Sequence, residues 1–333
     1  MRRTRRAGTR GRAERGYVLI LVLGAIALTA LLATRFAQRI DALRAQTATL
    51  KSYAEQRLQT RNALAVALYW VSTRPIGPAG FGPMLEPSLR ADDRVYRLPG
   101  GGEIQVQDER GLYPLNAMER ESMRALLRAQ NVAVQEADAY IDILLDYTDT
   151  DSLKRLNGAE AQDYAALGLP PPRNDWLISV RELNRMPRWR DSPAVVAAFE
   201  RLASPGRRQV VNPNTAPIEL LTALLPGART EQLELFATLR RQAPFLSGAV
   251  ARQATGLALE SDALVFHVDA MLRITVSAAG APMTHQYNLM LAPAGRLAPW
   301  QILAAHTAPR PERRESLYPD ATLPLALPAA APP

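Results

Sequence analysis

The sequence predicts an α+β protein: one long N-terminal helix, a small antiparallel sheet, and an α-helical domain inserted between the strands of that sheet. Three observations carry this. An uncharged apolar run leads into a helical pattern that no proline interrupts before Pro75. Two β-rich, hairpin-like stretches lie far apart in the chain, at residues 94–108 and 264–292. Between them the pattern is helical from residue 112 onward.

The first element is a basic leader. Residues 1–16 hold seven arginines and one acid, Glu14, so they carry +6 of the chain's net +8. The remaining +2 is spread over more than 300 residues, which removes most of the support for a nucleic-acid-binding face. An arginine-rich flank beside an apolar span is the pattern that holds a segment on the cytoplasmic side. The span itself, Tyr17 to Thr34, has 18 residues without a charge, close to the roughly 17–20 needed to cross a bilayer core. Ala30, Ala33 and Ala37 are small enough to form a signal-peptide cleavage site. Against cleavage there stands the continuation after Arg35. Phe36, Ile40, Leu43, Thr47, Leu50, Ala54 and Leu58 recur mostly at helical spacings, so one helix is expected over 17–72, roughly 84 Å long at about 1.5 Å per residue.

The sheet comes next. In "RVYRLPGGGEIQVQD" the Pro99–Gly102 run is a turn between Val95 and the alternating Ile104 and Val106. In "LVFHVDAMLRITVSAAGAPMTHQYNLMLA" two β-rich runs flank a turn near Gly280. From Pro293 the chain is rich in Ala and Pro without periodicity, which reads as a disordered tail. The expected organisation is therefore a leader (1–16), a transmembrane and stalk helix (17–75), an α+β domain (76–111 and 209–292), a helical insert (112–208) and a tail (293–333).

The insert contains "LLDYTDTDSLKRLNGAEAQDY", in which Asp146, Asp149, Asp151, Glu160 and Asp163 offer oxygen ligands around an Asn157-Gly158 turn. Counted from Asp149, Asp151 and Glu160 stand at the third and twelfth positions of an EF-hand loop, but Leu153 and Lys154 occupy the fifth and sixth. The motif reads either as a partial calcium loop or as a solvated acidic loop with Asp149 or Asp151 capping a helix. Further on, in "VVNPNTAPIELLTALLPGARTEQL", Thr215 is positioned to cap a helix opened by Pro217, and Pro226-Gly227 closes it. A second helix is expected near Thr230, giving a resemblance to a helix-hairpin-helix in which Ala228-Arg229 breaks the glycine-rich turn. Ser179 and Glu182 form a capping-box pattern stopped by Pro187. The three histidines lie in no H-E-x-x-H, and neither G-x-S-x-G nor G-x-G-x-x-G occurs. There is no cysteine to form a disulfide. No catalytic residue is expected, and the chain reads as a structural part.

A basic leader ending in Gly16, an apolar span starting at Tyr17 and a long helical continuation resemble the type IV pilins. In order along the chain, "RGYVLILVL", "QVQDERGLYPLNAM", "YTDTDSLKRLNGAEAQDYAALG", "NDWLISVRELNRM" and "VVNPNTAPIELLTALLPG" resemble the minor pseudopilin K family of the type II secretion system. The resemblance implies a pilin-like fold with a helical insert and a place at the tip of a pseudopilus in the bacterial inner membrane, with the bulk of the chain in the periplasm. It implies assembly with minor pseudopilins I and J. It also implies cutting by prepilin peptidase between Gly16 and Tyr17, with methylation of the new amine. Tyr17 stands where the pilins usually have Phe or Met, and Leu21, fifth from the cut, stands where they usually have Glu. Members of the family can bind calcium in the insert. Asp149, Asp151 and Glu160 match that acidic motif, although the Trp usual before its first Asp is absent. Two other readings are a membrane-tethered helix-hairpin-helix module on DNA and a minor pilin of a type IV pilus.

Overall fold

The computed structural model describes residues 13–86, 89–259, 261–310 and 321–322. Its first element is a continuous helix, α1 (Ala13–Thr73). The N-terminal part of α1, up to Leu58, is one compact unit, and the remainder of the chain from Gln59 is a second. From Tyr17 to Leu58 the apolar side chains of α1, Leu28, Leu31, Phe36 and Leu50 among them, are exposed apart from the half-buried Ile40. In the second unit the last turns of α1 bury Ala63, Ala67, Trp70 and Val71, one face at spacings of three and four.

That face packs on a six-stranded sheet. Short strands β1 (Gly80–Phe81) and β2 (Leu89–Arg90) form a separate pair. Next come β3 (Tyr96–Arg97) and β4 (Gly102–Asp108). Strands β5 (Tyr113–Pro114) and β6 (Ala203–Ser204) pair in parallel. The remaining strands are β7 (Met271–Ala278), β8 (Met283–Leu291), β9 (Trp300–Pro309) and β10 (Ala321–Thr322). The large sheet has the order β10-β3-β4-β7-β8-β9, antiparallel except for the parallel β10–β3 pair. Ile104 lies opposite Val276 and Val106 opposite Ile274. With Leu272 and Leu289 these residues are fully buried under the end of α1. Gly102 permits the close approach, since a Cβ there would come within 3.1 Å of both the Ala63 Cβ and the Gln59 carbonyl.

The helical core is separate. It contains α2 (Arg120–Ala129), α3 (Val134–Thr148), α4 (Ala161–Ala166) and α5 (Pro193–Leu202), followed by α6 (Ile218–Leu224), α7 (Thr230–Gln242) and α8 (Gly248–Thr255). Trp189 is its fully buried centre. Its indole N–H donates to the Tyr140 carbonyl at 3.0 Å, and its ring meets Tyr140 and Phe199 edge-on, each at 5.0 Å. The Ser179/Glu182 capping box is present, at the head of a 3₁₀ turn over Val180–Arg185.

Three expectations need correction. Residues 209–264, expected to belong to the sheet domain, join the helical core through Leu220, Leu221, Leu233, Phe236, Phe245, Leu257 and Leu259. Part of the expected disordered tail forms β9, nine of whose residues pair with β8 across a bulge at Asn288/Leu289. Thr215 caps no helix. Pro217 stands at the N-cap of α6, and the Thr215 hydroxyl donates instead to Asp108 Oδ2 at 2.9 Å. Residues 1–12 of the leader, together with 311–320 and 323–333 of the tail, lie outside the described residues.

Candidate functional site

The acidic motif sits where α3 ends. Asp138, Asp142, Asp146 and Asp149 recur at spacings of four, four and three, which places them along one side of that helix. Each meets a basic or amide partner. Arg124 Nε donates to Asp138 at 2.9 Å, and Arg120 pairs with Asp142. The Asn157 backbone and side-chain nitrogens donate to Asp142 at 3.3 and 3.2 Å. Burial works against the Asp142 charge, but Arg120 and Asn157 outweigh it and hold the pKa below its ordinary value.

Asp146 is fully buried and accepts from Arg155 twice, from Nη1 at 2.6 Å and from the backbone N–H at 3.2 Å. The same Nη1 also donates to Asp149 Oδ2. The loop returns over this pair at Gly158, where a Cβ would lie 1.8 Å from Asp146 Oδ2, so no other residue fits without displacement. Asp151 Oδ1 accepts from the Leu153 N–H at 2.8 Å, a local turn bond and not a helix cap. Asp149 is the residue after the last turn of α3, so it does not cap a following helix either. Lys154 Nζ donates to Asp163 Oδ1 at 2.7 Å and, with the Glu160 N–H, holds the Asp163 pKa low.

Glu160 is different. It is only 7% exposed, and neither carboxylate oxygen accepts a hydrogen bond of ordinary geometry, the nearby Ala161 N–H being the one group there that favours its charge. Asp149 Oδ1 is likewise buried and unpartnered. Burial raises the Glu160 pKa first, and the neighbouring Asp146, Asp149 and Asp151 carboxylates raise it further. Buried carboxylate oxygens without donors are unusual and suit a hard cation, which takes oxygen ligands. Among the described residues, however, no three acidic or histidine side chains are gathered into a ready metal-binding group. The Arg155 guanidinium lies between Asp146 and Asp149 and occupies an oxygen of each. The sequence pattern singled out Asp149, Asp151 and Glu160 as an acidic motif, which the loop brings to the end of α3. It missed Arg155, whose role depends on how the loop folds back.

A second polar cluster was also hidden from the sequence. Asp108, at the end of β4, accepts from Asn212 Nδ2 and Thr215 Oγ1 at 2.9 Å each, from the Asp269 N–H at 3.0 Å and from the Arg110 N–H at 3.1 Å. Asn212 reaches the Pro78 carbonyl, and Asn214 exchanges two bonds with the Phe245 backbone. The "NPNT" stretch is thus a clamp between the sheet and the α7–α8 connection. The helical pair α6–α7 is packed into the same core and not laid out as a surface hairpin.

The anchor segment is simpler. Within α1 the window of highest hydropathy (mean 2.5) has none of its residues buried, so it is not the core helix of a soluble fold. It is the one described helix long and apolar enough to cross a membrane. Gly16 lies inside α1, and Tyr17 and Leu21 are 68% and 56% exposed on it.

Comparison with known proteins agrees with these features. Residues 105–203 match the family model of the type II secretion system protein K. No curated protein sequence matches the chain. Among solved structures, the GspK-GspI-GspJ complex from the type II secretion system of enterotoxigenic Escherichia coli contains a chain with the same fold. That match has a TM-score of 0.55 and 19% identity, and covers 80% of this chain and 100% of that one. A DNA-binding module and a type IV minor pilin are not favoured by these matches. Residues 105–203 thus carry a domain similar to that of protein K of the type II secretion system, within a chain whose fold is similar to a chain of the GspK-GspI-GspJ complex.

Proposed function

We propose that this chain is a minor pseudopilin at the tip of a type II secretion pseudopilus, a structural part with no catalytic role that supports protein export across the outer membrane. In this reading α1 anchors it in the inner membrane, the bulk of the chain lies in the periplasm, and its neighbours are minor pseudopilins I and J. The observation that carries the reading is a protein K domain placed behind an exposed apolar helix and among the strands of a small sheet. The solved protein of the same fold comes from a complex with GspI and GspJ.

Leu21 supports the tip position. In the pilins a Glu at this point meets the amine of the subunit assembled before it. An unneutralised carboxylate at membrane depth costs several kcal/mol, on the order of 2.5–3.5 on insertion scales. A subunit with nothing ahead of it gains no partner for such a charge, so leucine is the less costly choice. The Tyr17 amine then faces the Glu of the next minor pseudopilin. Cysteine cross-linking from the first turn after Gly16 is expected to capture J- or I-type subunits and little of the major subunit. Labelling at regular intervals along filaments would remove the tip position.

The acidic loop is proposed to hold calcium through Asp149, Asp151 and Glu160. A ligand bound only to the native state stabilises it by mass action, so the protein should melt higher in calcium than in chelator. Asp151→Ala should abolish the difference. Coincident melting curves for the unmodified protein would remove calcium from the account.

A further inference from the structure

The geometry points to Arg155 as a built-in counter-ion that closes the 149–163 loop in place of a divalent cation and must leave Asp149 before one binds. The inference rests on the calcium reading above and concerns what competes for that site.

The guanidinium spans two carboxylates through one nitrogen: Asp146, whose side chain is wholly buried, and Asp149, whose side chain is 22% exposed. The Asp146 end of this bridge is out of water while the Arg155 side chain stays 34% exposed, and a group that occupies both carboxylates must be displaced before another takes its place. What the guanidinium leaves over is equally specific. Asp149 Oδ1 and both Glu160 oxygens are buried and accept no hydrogen bond of ordinary geometry. A guanidinium only donates and is planar, so it cannot satisfy acceptors on every side of itself. A calcium ion gathers six to eight oxygens in a flexible arrangement and suits such a set.

The loop backbone is held by polar bonds, among them Asn157 on Asp142 and Lys154 on Asp163, and not by apolar packing around the Arg155 side chain. Leu153 and Leu156, on either side of Lys154-Arg155, are 77% and 93% exposed, so apolar packing does not fix this segment. Arg155 can therefore swing outward without opening the core. Binding then draws only on the fraction of molecules in which Arg155 has left, and the apparent affinity is lowered by that fraction.

Titration calorimetry with calcium chloride on the full chain in detergent micelles tests this, comparing the unmodified protein with Arg155→Gln and Lys154→Gln. Lys154 carries the same charge one residue away but pairs with Asp163. Arg155→Gln is expected to bind calcium at least about tenfold tighter than either of the others. Arg155→Met, which keeps an unbranched stem and has no charge or donor, serves if the glutamine variant does not fold. Equal affinity in the unmodified and Arg155→Gln proteins, or equal tightening by Lys154→Gln, overturns the counter-ion role and leaves the calcium reading standing. Absence of calcium binding in all of them overturns both.

Discussion

Glu109 shows at the scale of one residue how burial couples this fold to pH. It follows the Asp108 clamp, is nearly buried, and has its pKa pushed up to about 7. Burial is the main cause. Arg273 and the Asn288 amide, which donates to Oε1 at 3.0 Å, oppose it, while Asp108 and Asp269 add to it. Asp108 itself is pushed up to about 6 by burial, against four converging donors. Both native pKa values lie above the ordinary ones, so the folded state holds these protons more tightly than the unfolded chain does. The stability they contribute is present at about pH 4 and is lost as pH climbs through about 6 to 7. Glu109→Gln keeps an oxygen for Asn288 and removes the buried charge. It should raise stability at pH 8 by on the order of 1–3 kcal/mol and flatten the slope of denaturant stability between pH 5 and 8. An unchanged slope would mean that Glu109 is not titrating in this range.

At the scale of elements, α1 and β9 differ in how far they could be read. The period of apolar residues and the absence of proline marked α1, because a helix satisfies its backbone locally. A strand satisfies its backbone through a neighbour, and the Ala- and Pro-rich stretch around β9 has too little alternation to announce one. The pairing with β8 makes it a strand. Likewise α6 and α7 were legible as helices, but not which core they join. For α1 the expectation that follows from Gly16 and Tyr17 is a processed N-terminus. Mass spectrometry of the N-terminal peptide should find a chain starting at Tyr17 with a methylated amine. An intact leader, or a start after Ala30 or Ala33, would contradict pilin-type processing.

For the whole molecule, charge distribution sets what partners the body attracts. Three quarters of the net positive charge lies in the first 16 residues, and phosphate binding needs clustered cations. Many body arginines are also engaged, as Arg120, Arg124, Arg155 and Arg201 are with carboxylates. Filter binding to duplex DNA should therefore give no salt-sensitive affinity for a chain that starts at Tyr17. Micromolar binding that falls steeply with added salt would restore the helix-hairpin-helix reading. What the sequence alone determined are the features whose physics is local: the apolar span, the charge boundary at Gly16, the turns at Pro99–Gly102 and Gly280, and the acidic run with its Asn157-Gly158 turn. Only the tertiary structure decided that residues 209–264 belong to the helical core, that Thr215 serves Asp108 and not a helix, and that Arg155 stands among the carboxylates. The reason is common to all three. Each depends on which surfaces and polar groups meet across more than a hundred residues or around a returning loop, and sequence spacing carries no record of that meeting.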